Sequence, residues 1–272
     1  MTRLFAATIF LLASAGAWAD DAPKGPAADP AEIERLLKEI EPPPLPAPLL
    51  RGEGTRGAIA RQAFDAAAMK PYLTDRLSPV DILGEPAKHP LAAATVQAGE
   101  RLRKLGTGEA ARLQMVVRSP ITPQFKKQVL QMQKVPARIL AELDDIAETL
   151  EKAGDKRAAE TSLRWKAHFE LLTARLRLWR VAIHEYDLML GKIRKDELPE
   201  LVAAKNENGW RIVVADKVQS GSEVKELVKE ANKLLAKVGK DYPGTPWAEL
   251  AKRDLALRVG LEWQPATLPG KK

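Results

Sequence analysis

Two uninterrupted rows of apolar side chains, spaced alternately by four and three residues, constrain this chain more than any other feature. The first runs Phe125, Val129, Met132, Pro136, Ile139, Leu143, Ile146 and Leu150. The second runs Ala158, Ser162, Trp165, Phe169, Leu172, Leu176, Trp179, Ile183, Tyr186, Leu190 and Ile193. A 4-3 spacing gathers every member onto one stripe of an α-helix, whereas a strand would scatter them over both faces. Pro136 falls within the first row without shifting its phase, which predicts one kinked helix. The second row holds no proline and predicts a single helix of about 60 Å. The breaker Ala153-Gly154-Asp155 turns the chain between them, so the expected spine is a long antiparallel hairpin over 120–198. Burying a side chain such as Leu172 or Leu176 stabilises by about 1.5–3 kcal/mol, against a few tenths for a surface ion pair. Packing therefore decides this fold.

The rest of the sequence arranges itself around that spine as an all-α chain. Residues 1–19 read as a secretory leader: Arg3, an apolar run from Leu4 to Ala17, and Ala17-Trp18-Ala19 as the cleavage site. The run is too short to span a bilayer. Residues 20–50 form a Pro/Ala-rich spacer with one short amphipathic island, Ala31 to Ile40, followed by Pro42 to Pro48, whose rings enforce polyproline II. Residues 51–119 hold short helices, Thr55 to Met69 and Leu91 to Leu105, punctuated by Pro71, Pro79, Pro86 and Pro90. Residues 199–263 form a C-terminal helix pair, and 264–272 a tail. In the pair, Ser220 to Val238 starts at a capping box, Ser220 with Glu223, and the last helix follows a Thr245 cap and runs to about Val259. Gly209 to Val214 is β-prone; it is either a strand paired with Leu113 to Arg118 or extended loop. The β content is expected to be near zero.

The segment LLAKVGKDYPGTPWAELAKRDL, residues 234–255, resembles the helix-turn-helix of tetratricopeptide-type repeats. Only one such unit is visible where a solenoid typically needs about three or more, so the resemblance implies repeat-like packing and not an array. RWKAHFELL, HEYDLMLGKIRKDELPEL, GWRIV and TPWAELAKRDL with GLEW are together similar to the helical C-terminal region of uncharacterised exported bacterial proteins, some carrying a von Willebrand factor A domain. The Asp-x-Ser-x-Ser metal site of such domains is absent from this sequence, so metal-dependent adhesion is not implied.

Composition narrows the chemistry. There is no cysteine and there are three histidines, which excludes disulfide scaffolds, thiol catalysis and Cys-based zinc sites. The formal charge of +7, or +6 once Arg3 leaves with the leader, is spread along the chain and does not make a polyanion groove. Gly52-x-Gly54-x-x-Gly57 with Asp75 matches the dinucleotide fingerprint in letters, but a proline-rich stretch precedes it where a strand is required. His184-Glu185 opens like a zincin motif, yet the second ligand position is Leu188. His168 and His184 lie off the apolar row and are expected to be exposed, and His89 flanks a helix start. Asp144, Asp145 and Glu148 read as a solvated face. Trp165 and Trp179 read as core anchors.

No catalytic, cofactor-binding or metal-ligating residue emerges, and no cofactor is expected. The function that follows is a non-enzymatic helical scaffold or protein-interaction module, secreted or periplasmic, with a protein partner, no nucleic acid and no membrane span after leader cleavage. The alternative is binding of an anionic envelope polymer or carbohydrate by Trp210, Trp263 and the basic surplus at Arg175, Arg177, Arg180, Lys192, Arg194 and Lys195. N-terminal sequencing of the processed protein should begin at Asp20; a mature chain retaining Met1 would remove the leader assignment.

Overall fold

The computed structural model describes residues 25–39, 59 and 62–269. The leader, the Pro42 to Pro48 run and the Gly52 to Gly57 loop lie outside the described residues. Helices dominate, as the apolar rows require. In chain order they are α1 (Pro30–Glu39), α2 (Ala66–Leu73), α3 (Pro79–Gly84), α4 (Pro90–Thr107), α5 (Pro123–Met132), α6 (Lys134–Gly154), α7 (Leu163–Arg194), α8 (Ser222–Asp241) and α9 (Pro246–Leu255). Among the described residues there are three strands, β1 (Val116–Arg118), β2 (Gly209–Ala215) and β3 (Gly260–Ala266).

At the centre stands α7, 32 residues or about 48 Å long, with Ser162 capping its start by accepting from Trp165 N–H. It is shorter than the expected 60 Å because the chain turns between Gly154 and Glu160, leaving Ala158 outside the helix. All the apolar-row residues within it are buried, and so are eleven of its other residues. Helices α4, α6 and α8 and strand β3 all pack against it. The half beyond Trp179 meets the sheet: Trp263 Nε1 donates to Met189 O at 2.8 Å and Leu261 N–H to Glu185 Oε2 at 3.1 Å.

The first apolar row is also buried in phase, from Val129 through Pro136, Ile139, Leu143 and Ile146 to Leu150. It is carried by two helices broken at Gln133, not by one helix kinked at Pro136. The break falls where proline chemistry puts it. Pro136 has no N–H to give Met132 O, and it sits in the first turn of α6, where no such bond is needed.

The near-zero β content expected from sequence is corrected by an antiparallel sheet of order β1-β2-β3. Val116 lies opposite Arg211, and Arg211 opposite Gln264; the next row on the same face is Arg118, Gly209 and Ala266. Val117, Trp210, Ile212, Leu261 and Trp263 form the inner, buried face. Gly209 is required by closeness, since a Cβ there would collide with Val117 O and the Leu268 side chain. The expected run of the last helix to Val259 is likewise corrected: α9 stops at Leu255 and the chain enters β3 at Gly260.

Two further boundaries differ from expectation. The amphipathic island of the spacer is part of the body, with Ile33, Leu36 and Leu37 of α1 buried. Helix α2 starts at the Asp65 cap, which accepts from Ala67 and Ala68 N–H, and continues through Pro71 to Leu73.

Helices α8 and α9 meet at a built corner. Thr245 Oγ1 donates to Tyr242 O at 2.6 Å and accepts from Ala248 N–H, Gly244 takes φ 69°, and Pro246 opens α9. Tyr242 and Trp247 are buried in the angle, and the Tyr72 ring of α2 packs on both, at centroid distances of 6.3 and 5.2 Å. Trp247→Ala should therefore cost about 3–5 kcal/mol, read as a lowered thermal midpoint; an unchanged midpoint would make this ring a ligand surface instead of a joint.

Candidate interaction groove and the buried charge cluster

Enclosing α7 on nearly every side forces its polar residues to find partners, and they supply most of the chemistry in the interior. His168, expected to be exposed, is fully buried. Trp247 Nε1 donates to its Nδ1 at 2.9 Å, which fixes the neutral tautomer with the proton on Nε2. That Nε2 stands 3.4 Å from Glu39 Oε2. Burial holds the His168 imidazole below its ordinary range, opposed by the neighbouring Glu39 carboxylate. Arg164, also fully buried, lies 3.3 Å from Glu39 Oε1 and 3.5 Å from Asp75, donates to Leu77 O at 2.7 Å, and stacks on Trp165. Asp75 therefore serves a buried arginine. Glu39 Oε2, Arg164 Nε, Trp165 Nε1 and His168 Nε2 make no hydrogen bond, so the cluster fastens α1 to α7 at a cost in desolvation.

Most of the other charges flanking the α7 row are engaged within the chain; Lys166 and Lys195 are the exceptions, with no ion pair or side-chain hydrogen bond among the described residues. Glu185 is fully buried, and its carboxylate accepts from Gln219 N–H, Ser220 N–H, Ser220 Oγ and Leu261 N–H. Ser220 is thus committed to Glu185; the expected capping box with Glu223 does not form, and Gly221 is the N-cap of α8. Glu170 holds Arg157 and Lys237, Arg175 pairs with Asp254, Arg177 with Glu230, and Arg180 with Asp144. Lys192 and Arg194 donate to Gln219 and Gln133. Asp145 pairs with Arg101 and Glu148 with Lys152, so the carboxylates at 144–148 form separate ion pairs on an exposed face. His184 is half-buried, its pKa lowered by burial and Arg180, and His89 is the N-cap of α4.

All five body tryptophans are buried. Trp210 Nε1 donates to Pro199 O, so with Trp263 on Met189 both rings assigned to carbohydrate stacking have their N–H groups satisfied inside. No described group of three or more His, Cys, Asp or Glu is placed to hold a metal ion, and no described helix is long and apolar enough to cross a membrane.

An open feature lies at the far end of the sheet. A groove of about 550 Å³ runs between β1 and the first turns of α5. Its β1 side is formed by Gln114, Val116, Arg118 and Pro120, and its α5 side by Thr122, Gln124, Phe125 and Gln128. Thr122 caps α5 by accepting from Phe125 N–H. The alternation along β1 has a backbone consequence. Ile212 N–H donates to Met115 O and Ser119 N–H to Asn208 O, so the odd residues bond to β2 while the backbone polar groups of Val116 and Arg118 point away from it. These are the residues that line the groove. The Gln114 side chain donates to Val116 O at 2.9 Å, and Tyr186 OH bonds the Gln114 backbone. Val116 is 41% exposed, as its place on the outer face of the strand requires.

No protein-family model, curated protein or solved structure matches the chain. Sequence reasoning weighed Leu113 to Arg118 only as a strand partner and missed the groove, although Gln114, Val116 and Arg118 already alternate with Met115 and Val117.

The His168 environment generates a pH dependence with a definite sign. Glu39 and Arg35 of α1, Arg164 of α7, and the Trp165 and Trp247 rings are the groups around the imidazole. Well above pH 6.5 the side chain is neutral folded or unfolded and contributes no slope. As the pH falls below that value, the unfolded chain takes up a proton that folded His168 refuses, so stability declines by up to about 1.4 kcal/mol per pH unit. Denaturant titrations from pH 8 to about 5 should show this loss. His168→Gln should flatten it, and an equal slope in that variant would assign the effect to other groups.

Proposed function

We propose that this chain is an exported, non-enzymatic helical scaffold of the cell envelope that holds a protein partner. The observation carrying the reading is the groove between β1 and α5, where a sheet edge and an exposed helix face lie open beside a body whose tryptophans and most flanking charges are engaged internally. Interaction surfaces combine apolar contact with amide and hydroxyl groups that serve as donor or acceptor, and Val116, Phe125, Gln114, Gln124, Gln128 and Thr122 supply that mixture. The polymer-binding reading has less support, because Trp210 and Trp263 are inside and Arg175, Arg177 and Arg180 are paired.

A photo-crosslinking residue replacing Gln128, introduced into the full chain in living cells, should yield a discrete protein adduct. The same group replacing Lys229, exposed on α8, should not. Adducts absent at Gln128, or equal at both positions, would overturn the reading.

A further inference from the structure

We propose that the occupant of the groove is an extended, acidic segment of the partner, added beside β1 as a further strand of the sheet. This rests on the interaction-module reading above and specifies its ligand. Because sheet order places β1 at one end, its second edge has no strand beside it among the described residues. The groups on that edge belong to Val116 and Arg118, and these residues line the groove. An extended backbone is the complement of such an edge: it accepts from the two N–H groups and donates to the carbonyls, and alternate side chains reach into the groove.

The edge carries its own protection. The Gln114 amide occupies Val116 O, a contact within the chain that an incoming N–H replaces by one of the same kind. Arg118 already donates to Pro269 O, a neutral acceptor, and keeps its full charge for a carboxylate. Charge selects the class of ligand. The groove lining contains Arg118 and no carboxylate, so an acidic strand is attracted and a basic one repelled, while Val116 offers an apolar contact to a β-branched neighbour.

The test uses the full mature chain and a short capped peptide alternating valine with glutamate, followed by fluorescence anisotropy. The expected result is saturable binding, with slowed amide hydrogen exchange at Val116 and Arg118. Methylating alternate backbone nitrogens of the peptide should abolish binding. Replacing its glutamates by lysine should weaken binding at least about tenfold, as like-charge juxtaposition does. Gln124→Glu with Gln128→Glu alters exposed side chains on α5 and should weaken the acidic peptide by a similar factor, with the circular dichroism spectrum unchanged.

Three results would overturn the proposal: binding indifferent to N-methylation, binding without protection at Val116 and Arg118, or concentration-dependent self-association that buries the same amides and excludes the peptide. An anionic polysaccharide that slows exchange at Val116 and Arg118 while the peptide does not bind would also overturn it. Failure of the peptide with the Gln128 crosslink retained removes the strand-addition proposal alone, whereas loss of the crosslink removes the interaction-module reading.

Discussion

Burial of α7 on almost its whole circumference is the constraint from which the remaining structure follows. A surface helix needs one apolar stripe; a helix enclosed by α4, α6, α8 and β3 needs apolar or partnered residues all round. The side chains off the main row show this directly. Ala167, Leu171, Ala174, Leu178, Val181, Ala182 and Met189 are buried alongside it, which turns what would be one hairpin interface into a core shared by several elements. A bundle of this kind is stabilised by contacts between elements far apart in sequence, so α1 and β3, near the two ends of the described chain, both belong to it.

That enclosure also explains the buried charges. Arg164, His168, Glu170 and Glu185 are carried into the interior on α7, and each is met by a group from a distant element: Glu39, Trp247, Lys237 and the Gln219 to Ser220 backbone. Leaving such a group unpaired is costly, whereas a satisfied one contributes directional contact that apolar packing lacks. Glu185 illustrates the difference from Arg164. Its carboxylate oxygens accept from successive amides and a hydroxyl and so fix the entry to α8, while Arg164 Nε and His168 Nε2 remain without hydrogen bonds. Glu185 is a fully satisfied anchor, and the Glu39 cluster is a weaker seam between α1 and the body.

What was legible in the sequence was the part set by local periodicity. Both apolar rows, the Thr245 corner and the Trp165 and Trp179 anchors required only the 3.6-residue repeat and turn chemistry. The exposure of His168 was misjudged because one row was taken as the whole buried face of α7. Nothing local to His168 shows that α1 and α9 close over it. The sheet was missed for a related reason: β1, β2 and β3 lie far apart in the chain, and a short strand is stable only through its partners. Gly260 to Ala266 does alternate Leu261 and Trp263 with Glu262 and Gln264, but the pattern spans too few residues to stand out from a polar tail. The groove inherits both difficulties, since it exists only once β1 has paired and α5 has been turned beside it.

The position of the groove follows from how the sheet is fastened. Strand β3 is tied to α7 through Trp263 and Leu261, and β2 lies between β3 and β1. Strand β1 is held less firmly, by three register pairs to β2 and by Tyr186 through the Gln114 backbone. Its inner residue, Val117, is buried, so the strand cannot rotate to hide the exposed Val116 without pulling Val117 out of the core. Helix α5 could have covered the edge, but Phe125, Val129 and Met132 orient its apolar stripe along the row that continues into α6 and packs on α7. The same phase that keeps the two halves of the first apolar row in register across the break at Gln133 therefore directs Gln124 and Gln128 toward β1, and amides in place of apolar side chains leave that edge open.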